Sequence, residues 1–266
     1  MSGGHHDFVA STFFGSRVTG NTGDQVPRRL FLFGVWEPNI THWICENLGP
    51  GDTFVDVGAN IGYYSLLASK LVGDTGKVIA IEASPTNVAQ LDRNLALNRT
   101  QNVRMVQAAA SDVVGTLPLY RAWTGDPGHK SVIAAEGFTY ECEVPAAPLC
   151  EILTRSEISM ARIIKIDVEG AEWSVITGLV PCLKAARPDL ELALEVSPRS
   201  LAGLGRRAED LIGALTSAGY HAYTIKNDYT ARSYLPPLRL ARPQRQRAPV
   251  TELTDMIFSQ RDEAHL

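Results

Sequence analysis

The sequence has no apolar run that approaches the roughly 18 residues a membrane-spanning helix needs. Its first residues are polar and contain no apolar segment of the secretory type, so we expect no signal peptide. It also lacks an excess of basic charge, because 25 lysines and arginines stand against 29 aspartates and glutamates, a net charge of −4. These absences argue against a membrane protein and a nucleic-acid binder. They favour a cytoplasmic protein.

Cysteine is also scarce. The four cysteines, Cys45, Cys142, Cys150 and Cys182, form no Cys-x-x-Cys pair and no spacing typical of zinc ligands. Cys45 and Cys182 stand among apolar residues, and we interpret them as small side chains of the core. The sequence therefore predicts reduced cysteines and no metal site built from them.

The chain has 266 residues, of which 45% are hydrophobic, and this suffices for one large domain. From residue 53 onward strand patterns alternate with helical ones, which predicts parallel strands joined by right-handed crossovers. We predict an α/β fold with a seven-stranded, doubly wound, Rossmann-like sheet whose last strand is antiparallel. Residues 1–36 would form a short N-terminal cap and residues 37–266 the main domain. The predicted strands are 53–57, 77–82, 103–106, 162–167, 191–195, 221–225 and 255–259.

Some segments interrupt this alternation. In the cap, 13–15 and 29–34 are predicted as short strands or a hairpin around the turn-rich segment 19–24. Later, 116–120 and 140–144 are predicted to pair on either side of a glycine-rich loop. The residues between the last two strands of the main sheet are rich in proline and arginine, and they are predicted to form a loop.

The stretch from Thr53 to Ala68 combines an apolar strand, a turn of small residues and a helix. In this geometry the backbone approaches a ligand at the start of a helix, and glycines such as Gly58 and Gly62 permit the approach. Asp56 precedes the turn and Glu82 ends the next strand. Acids at these positions suit a ligand with hydroxyls and a positive charge better than a pyrophosphate. We therefore predict S-adenosylmethionine as the cofactor.

Acids follow each predicted parallel strand, at the edge where open sheets of this kind bind ligands. Glu82 is placed to accept hydrogen bonds from both ribose hydroxyls. Asp112, with Ser111 beside it, is placed to accept from the adenine amino group. The predicted cofactor contacts are Glu37, Asp56, Gly58, Asn60, Gly62, Tyr63, Glu82, Ala83, Ser111, Asp112 and Asp167.

Asp167 and Glu169 follow the fourth predicted strand and are candidates for the base, or for orienting the acceptor. Asp167 could instead hold the cofactor ammonium or, together with Glu195, ligate a divalent metal. His129, in the glycine-rich loop, is a third candidate base, with a solvated loop histidine as the alternative. Two aromatic sets could shape the acceptor pocket or belong to the core: Phe13, Phe14 and Trp36, and Tyr223, Tyr229 and Tyr234.

Several motifs resemble the S-adenosylmethionine-dependent methyltransferases of the FkbM family, over roughly residues 30 to 260. They are Phe54-Val-Asp-Val-Gly-Ala-Asn-Ile-Gly-Tyr-Tyr64, Ala80-Ile-Glu-Ala-Ser-Pro85, Ile164-Lys-Ile-Asp-Val-Glu-Gly-Ala-Glu172 and Leu194-Glu-Val-Ser-Pro198. The resemblance implies a class I methyltransferase that methylates a hydroxyl oxygen of a small molecule, a sugar or a natural product. The composition, rich in alanine and arginine, fits a bacterial source of high GC content and is compatible with specialised metabolism. The resemblance also implies that Glu37 contacts the cofactor's amino group. A first-turn acid that interacts with the helix dipole is the alternative for Glu37.

Other functions stay open at this point. The acceptor atom could be nitrogen, or the acceptor a nucleoside or peptide, although no Asn/Asp-Pro-Pro-Tyr stretch of base-amino methylases follows the fourth strand. A NAD-dependent oxidoreductase is disfavoured, because the turn lacks the third glycine and no Tyr-x-x-x-Lys pair follows. Asp167 and Glu169 argue against a non-catalytic binding module. A homodimer through aromatic residues of the cap is compatible with the sequence.

Overall fold

Strands and helices alternate along most of the chain in a computed structural model, which describes residues 6–122, 130–134, 137–235 and 240–266. The strands are β1 (Asp7–Ser11), β2 (Arg17–Asn21), β3 (Thr53–Val57), β4 (Lys77–Glu82), β5 (Val103–Gln107), β6 (Ala109–Ala110), β7 (Gly115–Ala122), β8 (Lys130–Ser131), β9 (Phe138–Ala147), β10 (Ala161–Ile166), β11 (Glu191–Val196), β12 (His221–Ile225), β13 (Gln244–Arg245) and β14 (Thr254–Ser259). The helices are α1 (Gln25–Phe33), α2 (Pro38–Asn47), α3 (Tyr63–Val72), α4 (Pro85–Leu97), α5 (Leu149–Ile152), α6 (Arg155–Met160), α7 (Glu172–Leu179), α8 (Pro198–Gly203) and α9 (Ala208–Ser217). Two 3-10 turns span Val180–Ala185 and Ala231–Tyr234.

The main sheet contains eight strands in the order β5-β4-β3-β10-β11-β14-β12-β13. Strands β5, β4, β3, β10 and β11 are parallel neighbours, and β14 lies antiparallel between β11 and β12. The predicted doubly wound sheet with an antiparallel last strand is confirmed, and the seven predicted strands agree with the structure to within one residue at each end. The eighth strand, β13, adds two residues to the free edge of β12.

Both faces of the main sheet are covered, which explains why its parallel strands are continuously apolar. Phe54 of β3 belongs to the hydrophobic layer formed with helices α2, α3 and α4. Its neighbours Val55 and Val57 belong to the opposite layer, formed with α7 and α9. Successive side chains of a strand point to opposite faces, so each strand packs against both layers. This packing fixes the positions of the carboxyl ends of the strands.

A second, four-stranded sheet in the order β6-β9-β7-β8 is inserted between β5 and β10. Its strands β7 and β9 pair antiparallel from Gly115 opposite Ala146 to Ala122 opposite Phe138, which confirms the predicted pairing. The Ser131 hydroxyl of β8 donates to the backbone oxygen of Glu169 at 2.8 Å. The insertion is thereby joined to the loop that follows β10.

The N-terminal cap is a hairpin followed by a helix. Strands β1 and β2 pair antiparallel, so a hairpin is present, although its turn comprises residues 12–16. The prediction of a strand at 29–34 is wrong, because this segment lies in α1. Its apolar run fits a helix that buries Leu30 and leaves Phe31 exposed. Gly34, in the left-handed conformation with φ 69°, ends that helix.

Two of the four cysteines are bonded to each other. Cys150 and Cys182 form a disulfide with Cα atoms 5.9 Å apart, so the interpretation of Cys182 as an unbonded core side chain is wrong. The bond joins α5 to the 3-10 turn after α7, whereas Cys45 and Cys142 are free. Within the described ranges, no helix is both long enough and apolar enough to cross a membrane.

Candidate active site

A cavity of about 340 Å³ opens at the carboxyl ends of β3, β4, β10 and β11. Strand order reverses between β3 and β10, since the chain goes first to β4 on one side of β3 and later to β10 on the other. Ligands of open α/β sheets bind at such a switch point. The remaining walls come from the start of α1, the segment before α2, the second sheet and Leu253. This cavity is our candidate active site.

The turn after β3 forms the floor of the cavity. Gly58, Asn60 and Gly62 all have positive φ angles, of 80°, 50° and 89°. The N–H of Gly58 donates to the backbone oxygen of Ile81 at 2.9 Å, which ties the turn to β4. A Cβ on Gly58 would lie 1.8 Å from the backbone oxygen of Asp167. Only glycine therefore allows the loops after β3 and β10 to touch.

Glu82 is buried at the end of β4 and holds two loops. Its carboxylate oxygens accept from the N–H groups of Asn60 and Ser84, each at 2.8 Å. Burial raises the pKa of Glu82, and these two N–H donors partly offset the effect. A carboxylate has about four acceptor positions, so Glu82 retains capacity for further donors such as ribose hydroxyls.

Four of the predicted cofactor contacts are not among the described residues that line the cavity: Asp56, Gly62, Ser111 and Asp112. Asp56 is buried within β3 and accepts from the Ser65 hydroxyl of α3 at 2.6 Å. Asp112 is exposed, because β5 already ends at Gln107 and the alanines that follow turn into the second sheet. The strand end itself was predicted to within one residue, but Asp112 follows it by five residues, and the sequence did not show that these residues lead away from the sheet edge. Ala108, Ala109 and Ala110 line the cavity instead.

Glu37 lies at the start of α2 in the left-handed conformation, with φ 41°. Its carboxylate makes no capping hydrogen bond to that helix. Instead, Oε2 accepts from the Tyr64 hydroxyl and Oε1 from the Tyr229 hydroxyl, both at 2.6 Å. Burial raises the pKa of Glu37, and the nearby Lys165 counteracts this. Glu37 is thus a buried acid of the cavity wall, which disfavours the helix-capping alternative.

Lys165 is a buried lysine that sequence reasoning missed. Its Nζ donates to Oδ2 of Asp167 at 2.8 Å. Burial lowers the pKa of Lys165, but Asp167, Glu37 and Asp56 outweigh burial and raise it above the usual value. Lys165 therefore stays a cation. The sequence did contain a signal for this residue, since a lysine stands in the apolar strand β10 (Ala161–Ile166). A buried charge requires a partner, so such a lysine predicts a nearby acid.

A wall of carboxyl groups faces the lysine. Glu195 and Asp255 stand opposite each other on β11 and β14. Burial and the Asp167 carboxylate raise the pKa of Glu195 to about 9. Burial and Glu37 raise the pKa of Asp255 to about 8. In the described part of the chain no group of three His, Cys, Asp or Glu side chains is arranged to hold a metal ion.

Some of the other candidate residues line the cavity and others do not. Of the aromatic sets, Trp36 and Tyr229 line the cavity, as do the predicted contacts Tyr63 and Ala83. Glu169 also lines it, with a left-handed φ of 53°. The remaining aromatics, Phe13, Phe14, Tyr223 and Tyr234, are not among the lining residues. The candidate base His129 lies outside the described residues, and the next residue, Lys130, lines the cavity and pairs with Glu141.

A family model described as "Methyltransferase FkbM domain" matches residues 56–222, more than half of the chain. The chain belongs to the FkbM methyltransferase family. The matched range contains the glycine turn, Glu82 and the Asp167–Gly170 loop. It leaves Glu37 and Tyr229 outside.

Two curated relatives match about half of this FkbM-family chain. Methyltransferase sdnD of Sordaria araneosa is 29% identical over 163 residues, which are 50% of this chain and 62% of the relative. The 31-O-demethyl-FK506 methyltransferase FkbM of Streptomyces tacrolimicus is 28% identical over 160 residues, 50% of this chain and 61% of the relative. The chain therefore spans about three fifths of the length of each.

A solved structure shares the fold. A proposed rRNA methylase from Clostridium thermocellum superposes with a TM-score of 0.51 at 8% identity, covering 84% of this chain and 93% of that one. At this identity the likeness concerns the fold alone. It agrees with a class I methyltransferase architecture.

S-adenosylmethionine is the cofactor of this FkbM domain, and the cavity suits it. Oδ1 of Asn60 is buried without a hydrogen-bond partner among the described residues, so it is available to a donor. Glu82 retains acceptor capacity for the ribose, and the alanines after β5 offer an apolar wall for adenine. Glu37 and Asp167 line the same cavity and could hold the cofactor's ammonium group.

Proposed function

We propose that this domain transfers the methyl group of S-adenosylmethionine to a hydroxyl oxygen of a small molecule, a sugar or a natural product of bacterial specialised metabolism. The observation that carries the proposal is that Asp167 and Glu169 line the same cavity as Glu82. One cavity thus contains acids for the adenosyl group and acids for an acceptor. The name of the Streptomyces tacrolimicus relative, which specifies an oxygen, supports the choice of a hydroxyl acceptor.

The two acids after β10 have different tasks in this proposal. S-adenosylmethionine supplies a methyl group on a positively charged sulfur, and its transfer to a hydroxyl forms a C–O bond, breaks a C–S bond and releases a proton. Asp167 is held by Lys165 and by its own N–H, which donates to Val57 at 2.9 Å. Because Lys165 and the backbone fix the Asp167 side chain in one position, Asp167 orients the ligand. Glu169 accepts the acceptor's proton.

The acceptor would enter between the cap and the second sheet. The start of α1, the Lys130–Val132 segment and Leu253 line this part of the cavity. These elements lie on the side of Glu169, whose backbone oxygen is bonded to Ser131. An acceptor seated there would have its hydroxyl close to Asp167 and Glu169.

Two measurements test the proposal in sequence. Calorimetry should show binding of S-adenosylhomocysteine and none of NAD. Turnover is then followed by mass spectrometry, with S-adenosylmethionine labelled at its methyl group and pairs of acceptors that differ only in carrying a hydroxyl or an amine. Methylation of the hydroxyl members supports the proposal. NAD binding without S-adenosylhomocysteine binding, or methylation of amines alone, would overturn it.

Variants separate the two acids. We expect Glu169→Gln to lower kcat by about a hundredfold while S-adenosylhomocysteine affinity stays within about twofold, because the amide cannot accept the proton. Asp167→Asn should weaken cofactor binding as well as turnover. The matched control is Glu143→Gln, which alters an exposed acid on β9. Unchanged turnover in both cavity variants would exclude these acids from the reaction.

A further inference from the structure

The segment that follows β12 is attached to the turn before α2. The Asn39 side chain donates to the backbone oxygen of Lys226 at 2.5 Å and accepts from the N–H of Ala241 at 2.9 Å. The ring of Trp36 lies 5.5 Å from that of Tyr229. Two parts of the chain nearly 200 residues apart therefore meet at one edge of the cavity.

Tyr229 is the polar contact of this segment with the site. Its hydroxyl donates to Oε1 of Glu37 at 2.6 Å, and Tyr64 donates to Oε2 at the same distance. The Asn227 side chain donates to the Tyr229 hydroxyl at 3.1 Å, which fixes the direction of the tyrosine proton. Glu37 and Tyr229 both lie outside the range of the family match. The matched range therefore does not include the contact between Tyr229 and Glu37.

The electrostatic surroundings make the two tyrosines important for the charge of Glu37. Lys165 stabilises the Glu37 carboxylate, whereas Asp167 destabilises it. Glu37 interacts also with Glu195 and Asp255 on the neighbouring strands. Burial raises the pKa of Glu37, and the hydrogen bonds from Tyr229 and Tyr64 lower it and so counteract part of this effect. Removal of one hydroxyl would raise the pKa of Glu37 further.

We propose that Tyr229 is a positioning residue that holds the Glu37 carboxyl group in place for the cofactor's ammonium group. The inference rests on the proposed function, because it takes the cavity to be the S-adenosylmethionine site. It assigns a task to a segment outside the family match: the residues after β12 complete the cofactor site through one hydroxyl. Tyr229 acts through Glu37, whereas Glu37 faces the ligand.

The test measures binding of S-adenosylhomocysteine by calorimetry between pH 6 and 8.5, with the full chain and its variants. Tyr229→Phe should weaken binding about tenfold near pH 7, the value of one hydrogen bond to a charged group. The loss should shrink as the pH rises, because Glu37 regains its charge. In a Glu37→Gln background Tyr229→Phe should have no further effect. Tyr140→Phe is the matched control, since it removes a hydroxyl from an exposed side chain that is not among the cavity residues.

Three results would overturn the inference. Tyr229→Phe could bind as the parent chain does at every pH, or it could lose the same affinity in the Glu37→Gln background. The loss could also be independent of pH, which would indicate a packing role alone. Failure of the parent chain to bind S-adenosylhomocysteine would overturn the proposed function together with this inference. Circular dichroism of each variant verifies that the fold is retained.

Discussion

Glu82 shows how a single residue can serve both the fold and a ligand. Its two oxygens accept from the turn after β3 and from the start of α4, so the side chain positions both loops. The remaining lone pairs are what a ribose would use. A buried carboxylate with this geometry cannot be replaced by an amide without turning one N–H donor toward another.

We expect Glu82→Gln to weaken S-adenosylhomocysteine binding by about tenfold to a hundredfold, since one unpaired buried group costs about 1–3 kcal/mol. Asp112→Asn is the control, because Asp112 is exposed and is not among the cavity residues. It should bind within about twofold of the parent chain. Calorimetry at constant pH measures both. Weaker binding in Asp112→Asn with normal binding in Glu82→Gln would contradict this prediction. It would support instead the contact of Asp112 with adenine that the sequence predicts.

Gly58 is the residue where backbone conformation and close approach coincide. Gly58→Ala places a Cβ 1.8 Å from the Asp167 backbone at a positive φ, and we expect it to lower the free energy of unfolding by at least about 3 kcal/mol. Gly15→Ala has nearly the same φ, 79°, with no atom within 4 Å of its Cβ, so it should cost about 1–2 kcal/mol. Urea denaturation measures both. Equal losses of unfolding free energy in the two variants would contradict the prediction, because they would mean that the Asp167 backbone moves away from the new Cβ at little cost.

At the scale of elements, the strand β10 and its loop supply the buried lysine and the two acids proposed to act on the acceptor, and helix α7 follows directly. Lys165 is in the strand, Asp167 and Glu169 are in the loop, and Glu172 begins the helix. The N–H of Gly170 donates to Glu172 at 2.9 Å, which closes the loop onto the helix start. The disulfide fastens the far end of this unit, where the 3-10 turn after α7 meets α5.

Reduction of the Cys150–Cys182 bond should therefore lower the free energy of unfolding. The bond closes a loop of 32 residues, for which the chain-entropy model gives about 3–4 kcal/mol. Urea denaturation with and without a reductant measures the change. The double variant Cys150→Ser with Cys182→Ser retains both free cysteines and should not respond to the reductant. An unchanged midpoint for the parent chain would contradict the prediction.

At the scale of the whole molecule, the carboxyl edge of the sheet concentrates buried acidic groups. The folded chain raises the pKa of Glu195 to about 9 and of Asp255 to about 8, through burial and neighbouring acids. The folded state therefore holds protons that the unfolded state releases above its ordinary pKa near 4. Stability should fall as the pH rises from about 4 to 9. The cofactor's positive charge would relieve this cost.

The double variant Glu195→Gln with Asp255→Asn lacks both titrations. Relative to the parent chain without ligand, its free energy of unfolding should rise between pH 5 and pH 8.5 by more than about 1.4 kcal/mol, the value of one pKa unit. Denaturation at both pH values measures the difference. Glu143→Gln with Asp112→Asn, which neutralises two exposed acids, should follow the parent chain. If the free energy of unfolding changed with pH in the same way in both double variants, the assignment of the pH dependence to Glu195 and Asp255 would be wrong.

Local pattern alone determined the main sheet, the glycine turn and the acids at its edge. Apolar strands, helical periods and the turn at Gly58 are encoded by neighbours in sequence, so their bounds could be predicted to within one residue for the main strands. The family motifs lie within the same local stretches. The helix at 29–34 was misassigned because its short apolar run fits either period.

The tertiary structure decided which acids meet and which do not. Asp112 left the site because the chain joins a second sheet after Gln107, a choice that depends on strand pairing rather than on local pattern. Lys165, Glu37 and Tyr229 are far apart in sequence, and their shared charge network exists only where the layers bring them together. Burial then sets the pKa values of these groups. Burial depends on how the whole molecule packs, so it cannot be predicted from any single segment of the sequence.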